Sequence, residues 1–269
     1  MYEDLGRPPL SQRSLQRALV CEGSPWTDVV LVARTGSTNA DLLAAANDGA
    51  PSGRVLIAEE QVSARGRQGR EWTSPPQAGL TWSVLLRPSV PTNRWSWLPL
   101  LVGLSLVRVV RLLGEIDATL KWPNDLLVGP EEGKAAGILA QASGDAVVLG
   151  VGLNVSNRRE DLPTAQATSL TLAGAACTDR ATLLPAVLRQ LAKDYLAWSD
   201  ADGDPQASGL AAAYARACGT LGRAVRVQLP GDRETTGLAS GIDDDGRLVV
   251  RGETGASHAY AAGDVVHLR

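Results

Sequence analysis

Histidine is scarce in this chain of 269 residues: there are two, His258 and His267, both within the last twelve positions. A Ser/His/Asp or Cys/His nucleophilic arrangement is therefore excluded from the first 257 residues. The three cysteines, Cys21, Cys177 and Cys218, are far apart and form no Cys-x-x-Cys pair, so neither a disulfide framework nor a structural zinc site is expected. Charge of one sign is also lacking. Lys and Arg number 26 against 29 Asp and Glu, a net charge of -3, which argues against a general nucleic-acid coat. The longest apolar run, residues 102–110, is interrupted by Gly103, Ser105 and Arg108, short of the roughly 20 residues a spanning helix needs. Met1, Tyr2, Glu3 and Asp4 carry acid where a signal peptide carries Lys or Arg. A soluble cytoplasmic protein without a membrane partner is expected. Its chemistry must run on Lys, Arg, Asp, Glu, Asn and backbone groups.

At 44% apolar residues, the chain has ample material for a core and one large domain, alone or with a small one. Residues 11–20 read as a short helix with Leu15, Ala18 and Leu19 on one face. Residues 28–34 and 54–58 read as buried strands, separated by a helix that Ser37 or Thr38 caps and that runs through Ala46. Residues 80–86 form another strand, and residues 95–113 the clearest long helix, with Gly114 as its C′ glycine. Short apolar pieces at 119–122, 126–128, 135–141 and 147–155 read as a meander. Helices follow at 179–198 and 206–217. After Gly219 come short strands at 225–229, 235–242, 247–250 and 265–268, with turns at Pro230-Gly231-Asp232 and Asp243-Asp244-Asp245-Gly246. That spacing predicts a small β-barrel. The expected boundary puts residues 1–218 in one domain and 219–269 in the other.

Four segments carry chemistry. Between two strands lies Ala64-Arg65-Gly66-Arg67-Gln68-Gly69-Arg70-Glu71-Trp72. Its glycines permit close backbone approach and its arginines offer forked donors to phosphate or carboxylate. The bland reading is a solvated charged loop. Lys121-Trp122-Pro123-Asn124-Asp125 places a cation, an aromatic, an amide and a carboxylate around a rigid proline, or is ordinary turn chemistry. In Gly133-Lys134-Ala135-Ala136-Gly137-Ile138-Leu139 a lysine opens a strand of small and apolar residues; its commoner role is a snorkelling edge lysine. Gly150, Gly152 and Asn154 interrupt the strand at 147–155, which marks the close approach of a ligand or another backbone, or a simple bulge.

Together and in this order, with Gly36-Ser37-Thr38-Asn39 and Gln61 ahead of them, these segments resemble the bacterial biotin–protein ligases. The resemblance runs from about residue 30 to the C-terminus. It implies an α+β fold, a mixed sheet with helices like the class II aminoacyl-tRNA synthetases, plus a C-terminal SH3-like barrel. It also implies a two-step reaction. Biotin and ATP, with Mg2+, give biotinyl-5′-adenylate and pyrophosphate. A lysine of a biotin carboxyl carrier domain of an acetyl-CoA or acyl-CoA carboxylase then takes the biotinyl group and AMP leaves.

Carried over by position, Ser37, Thr38, Asn39, Gln61, Arg65, Gly66, Arg67 and Lys134 would bind biotin. The neutral ureido ring suits hydroxyls and amides. Arg65, Arg67, Arg70, Trp72, Lys121, Asn124 and Asn154 would bind the nucleotide. Lys134, Arg67 and Asp125 would be catalytic, the cations because two anions must meet and Asp125 as base for the acceptor lysine. Trp72 and Trp82 read as core or as pocket walls, and residues 62–70 are expected to order over the adenylate. One position departs from the family, whose loop begins Gly-Arg-Gly-Arg where this chain has Ala64. Were positive φ needed there, alanine would cost about 1 kcal/mol or more, and Ala64→Gly would alter adenylate affinity or dissociation. Only 36 residues precede Ser37 and the first strand takes part of them, too few for a DNA-binding repressor domain beside a usual minimum of about 50. A lipoate ligase of the same fold is the enzyme alternative. A non-catalytic biotin-binding protein is disfavoured by the cations at 65, 67, 70, 121 and 134.

Overall fold

A computed structural model of the chain describes residues 7–229 and 233–268. Met1, Tyr2, Glu3 and Asp4, and the turn expected at Pro230-Gly231-Asp232, lie outside the described residues. Seven strands make the first sheet: β1 (Asp28–Val32), β2 (Arg54–Ala58), β3 (Gly79–Leu86), β4 (Ala118–Lys121), β5 (Asp125–Val128), β6 (Gly133–Ser143) and β7 (Ala146–Asn154). Their order is β1-β2-β3-β7-β6-β5-β4. The β1–β2 pair is parallel and the others antiparallel. This is the mixed α+β sheet expected.

Every residue of β3 and β7 is buried, because helices cover both faces. On one face Leu80, Trp82, Val84, Val147, Leu149 and Val151 join the main core with α3 (Leu98–Gly114) and α4 (Arg180–Asp200). On the other, Leu85 and Val148 pack with Leu42 and Ala46 of α2 (Thr38–Asn47). A strand covered on both sides reads as a continuous apolar run. The outer edge of β1 is sealed by α1 (Gln12–Leu19), where Gln16 and Gln12 accept hydrogen bonds from the Val29 and Leu31 N–H groups at 3.0 Å each.

A 3-10 turn over Thr92–Trp97 leads into α3. Gly114 is not the left-handed cap expected; it stays helical and buried, and Glu115 turns the chain at φ 53°. Among the described residues Thr92–Gly114 is the one helix long and apolar enough to cross a membrane, a possibility hidden when only unbroken apolar runs are counted. In the fold 72% of its most apolar window is buried inside the protein.

The last strands are β8 (Ala224–Leu229), β9 (Arg233–Ile242), β10 (Leu248–Arg251), β11 (Ser257–Tyr260) and β12 (Asp264–His267), following α5 (Leu210–Ala217). They form an antiparallel sheet in the order β11-β10-β9-β8-β12. This corrects the SH3-like barrel: among the described residues β11 and β12 are edges and do not pair, so the sheet is open. Three of its strands have only four residues. Its apolar face does not need closure to escape water, since Val225, Val227, Ala239, Leu248, Val250 and Val265 belong to the same continuous core as α3 and α4. The 243–246 turn is fastened by Trp97 Nε1, which donates to Asp244 O at 2.8 Å, and by Trp122 Nε1, which donates to Gly246 O at 3.1 Å.

Candidate active site

The glycines of β6 and β7 make the space. Gly137 pairs with Gly152 across the two strands, and Gly150 lies two residues on, facing the same way. The face that elsewhere carries Val148 is thus stripped to backbone. Two side chains fill part of the gap. A Cβ on Gly150 would lie 2.0 Å from Asn39 Oδ1, and one on Gly152 would lie 2.2 Å from Trp72 Cε2. The remaining cavity holds about 450 Å3, the size of a small-molecule site.

One end is neutral and hydrogen-bonded. Ser37 caps α2, accepting from the Ala40 N–H, and so sets the buried Thr38 and Asn39 in the cavity lining. Gln61 Oε1 accepts from Thr38 N at 2.8 Å and Thr38 Oγ1 at 3.0 Å. Thr38 Oγ1 and Ser83 Oγ lie 2.7 Å apart, Ser83 donates to Asn39 Oδ1 at 2.6 Å, and Asn39 Nδ2 donates to Gln141 Oε1 at 2.9 Å. Buried networks of this kind hold each amide in one orientation.

The other end is cationic. Lys134 Nζ stands 2.7 Å from Asp125 Oδ1, and the lysine backbone is pinned by bonds to Gln166 O and from Thr168 N at 2.7 and 2.9 Å. Arg67 Nη1 donates to Asn124 Oδ1 at 3.2 Å, Asn124 Nδ2 to Ile138 O at 3.1 Å, and Asn154 Nδ2 to Thr168 O at 2.9 Å. Arg70 forms an ion pair with Asp264, whose carboxylate reaches the cavity from β12. Burial lowers the Arg67 pKa, against the raising influence of Asp264 and Asp125. Burial likewise pushes Lys121 down, with Asp125 opposing it. Desolvated cations of this kind are poised for an anion.

The 64–72 segment is a tight hairpin rather than an irregular loop. Gly66 N donates to Arg70 O at 2.6 Å and Trp72 N to Ala64 O at 3.1 Å, and the left-handed positions are Gln68 (φ 56°) and Gly69 (φ 72°). Ala64 has no positive φ and is buried, so the strain considered for it does not arise. Arg65 lines the cavity but turns outward, bonding Gly69 O and Glu71 at 3.2 and 3.4 Å. The indole N–H of Trp72 is buried without a protein acceptor, a donor available to a ligand.

Ser37, Thr38, Asn39, Gln61, Arg65, Gly66, Arg67, Arg70, Trp72, Asn124, Asp125, Lys134 and Asn154 all line this one cavity. Lys121 does not; it pairs opposite Asp125 in the β4–β5 ladder and acts on the site through that carboxylate. Trp82 is core, 1% exposed. Sequence reasoning missed Asp264 and the wall formed by Pro163, Thr164 and Ala167. An aspartate opening a short strand nearly two hundred positions beyond Arg70 carries no local signal.

Residues 31–155 match the model of the biotin/lipoate A/B protein ligase family, and residues 220–268 that of the biotin protein ligase C terminal domain. The biotin–[acetyl-CoA-carboxylase] ligase of Mycobacterium tuberculosis is 45% identical over 98% of this chain and 97% of its own. This chain belongs to the biotin protein ligase family. The bifunctional ligase/repressor BirA of Escherichia coli is 32% identical over 80% of this chain and 66% of its own length. Among solved structures, the Aquifex aeolicus biotin protein ligase in complex with biotin and ATP superposes with a TM-score of 0.75. It has 27% identity, covering 91% of this chain and 100% of that one. Family membership makes the cavity between α2, the 64–72 hairpin and β12 the candidate active site.

Proposed function

We propose that the chain joins biotin to ATP in this cavity and passes the biotinyl group to a lysine of a biotin carboxyl carrier domain. The carrying observation is the Lys134–Asp125 pair, set between a neutral amide-and-hydroxyl network and a cluster of arginines. Thr38, Asn39 and Gln61, steadied by Ser37 and Ser83, suit the ureido ring. Lys134 and Arg67 face the carboxylate and the α-phosphate, and Arg65 joins them by swinging in from its outward contact with Glu71; Arg70, Asn124, Asn154 and Trp72 take the nucleotide, and Gly66 lets the hairpin backbone come close. In the first step a biotin carboxylate oxygen bonds to the α-phosphorus and the bond to the β-phosphate oxygen breaks, releasing pyrophosphate. Fixed cations stabilise the charge gathered there. In the second, the acceptor amine attacks the acyl carbon, AMP leaves, and Asp125 accepts or orients the departing proton. The 64–72 hairpin shields the mixed anhydride from water.

Among the described residues no three His, Cys, Asp or Glu side chains form a metal cage. That fits Mg2+ arriving on the nucleotide, which binds through phosphates and one or two carboxylates; Asp125 and Asp264 are the carboxylates available. The metal ion would neutralise the leaving pyrophosphate. The division at residue 218, with β8–β12 supplying Asp264 to the site, accords with the separate match over residues 220–268. Three free cysteines suit the reducing cytoplasm. Neither DNA nor a bilayer enters this reading.

Mass spectrometry after incubation with biotin and MgATP, without acceptor, tests it. Biotinyl-adenylate with released pyrophosphate is expected. Bound biotin without adenylate would point to a binding protein, and adenylation of lipoate instead would reassign the substrate.

A further inference from the structure

Two residues ahead of Gln61, at Glu59, stands a buried ion pair that the reaction itself does not use. Arg180 Nη1 and Glu59 Oε2 are 2.5 Å apart, with side chains 5% and 9% exposed. Each partner is also bonded to chain segments that are distant in sequence. Glu59 Oε1 accepts from Leu10 N at 2.6 Å. Arg180 donates to Pro8 O at 2.7 Å and to Gly79 O at 3.3 Å. A buried ion pair is weak evidence for stability, because an apolar pair of similar volume does as well. What this pair does is fix four backbones at one point: the 7–10 arm, the end of β2, the start of β3 and the first turn of α4.

The same arm is tied down a second time. Arg7 Nη2 donates to Ser156 O at 3.0 Å and meets Asp161 Oδ2 at 3.3 Å. Asp161 also accepts from Arg158 N at 2.9 Å, bracing the turn that leads to Pro163 and Thr164. Glu59 lies two residues before Gln61, and Gln61 holds Thr38. The arm thus bonds both the residue two before Gln61 and the turn that leads to Thr164, and Gln61 and Thr164 both line the cavity.

We infer that residues 7–10 form a clamp joining two walls of the pocket, with Glu59 and Arg180 as positioning residues that set Gln61 and the Thr164 wall for biotin. The inference rests on the ligase reading above. Glu59 acts on the Gln61 side, so its loss falls on biotin, whereas the Arg7 side also braces the segment whose Gln166 and Thr168 pin the Lys134 backbone.

Steady-state kinetics on the full chain test this, paired with calorimetric biotin binding and hydrogen exchange. A charge-assisted hydrogen bond is at stake, so Glu59→Gln is expected to raise the KM for biotin about tenfold. The KM for ATP and kcat stay within about twofold, since those contacts are untouched. Arg180→Lys recovers part of what Arg180→Met loses. Arg7→Ala leaves the buried pair intact, covers the case of an unfolded Glu59 variant, and speeds exchange at 156–167 alone. Equal losses for biotin and ATP, or faster exchange over the whole chain, would reduce the pair to a structural brace and overturn the clamp. Unaltered protein that binds no biotin would remove the ligase reading together with the clamp. Unaltered protein that binds biotin, with variants that bind it equally well, would remove the clamp alone.

Discussion

Replacing Gly152 with alanine sets a methyl carbon 2.2 Å from Trp72 Cε2, 2.4 Å from Nε1 and 2.6 Å from Cζ2. Comfortable carbon–carbon separation is about 3.5–4.0 Å, so something must move by more than about 1 Å. The strand cannot yield readily: Gly152 is paired to Thr81 on one side and to Gly137 on the other. Trp72 is half-buried, sits in a hairpin and keeps one backbone bond, to Ala64. The indole therefore shifts, and the overpacking cost of about 1–3 kcal/mol falls on the wall of the cavity. With 1.4 kcal/mol corresponding to tenfold, the KM for ATP rises by about one order of magnitude. The melting temperature falls by no more than about 2–4 °C, the equivalent of 1 kcal/mol for a chain of this size class. Pyrophosphate release at varied ATP and saturating biotin, beside a thermal melt, reads both quantities. A melt depressed by 10 °C or more with KM unchanged, several times the scale above, would refute the reasoning, because it would mean that the strand had given way and the indole had not.

Lys134→Met removes the cation nearest Asp125 and slows adenylate formation by about 100-fold or more, the scale for one transition-state donor. Single-turnover formation of biotinyl-adenylate measures it, and a change below threefold would exclude the role, given that scale. His267 is held down to about 4, first by burial and then by Arg223 and Lys121. Its native pKa lies below the unfolded value, so its stabilising effect is complete above about 6.5 and is lost as pH falls toward 4. Melting curves between those limits are therefore expected to flatten in His267→Gln. Ala64→Gly relieves no strain; it loosens the unfolded chain and lowers stability by about 0.4–1 kcal/mol. Its ligand constants stay within twofold of the parent, well under the tenfold that 1.4 kcal/mol would produce, as equilibrium titration can check.

The local grammar of the fold was legible because it is local. Ser37 before an apolar-periodic stretch is an N-cap wherever it occurs, and it caps α2 here. Gly150 and Gly152 inside a strand pointed to close approach by a ligand or another backbone; what comes close is two side chains, Asn39 and Trp72. Gly114 misled because a glycine at a helix end is usually left-handed, whereas this one stays helical and Glu115 supplies the turn. Strand β11, Ser-His-Ala-Tyr, had no apolar alternation to reveal it, since three of its four residues are exposed.

The sequence by itself determined the chemical inventory: the scarcity of histidine, the arginine–glycine segment, the lysine near the start of β6 and the hydroxyls and amides at 37–39 and 61. Those properties depend on residue type and near-neighbour spacing. Tertiary structure alone decided which of them meet. It removed Lys121 from the cavity wall and set it behind Asp125. It brought Asp264 onto Arg70 from the far end of the chain. It also left the last sheet open, because burial of that sheet's apolar face was achieved against Trp97 and Trp122 of the first unit. Strand pairing and long-range ion pairs are set by what competes for the same buried surface. That competition is a property of the whole folded chain, which no window of the sequence contains.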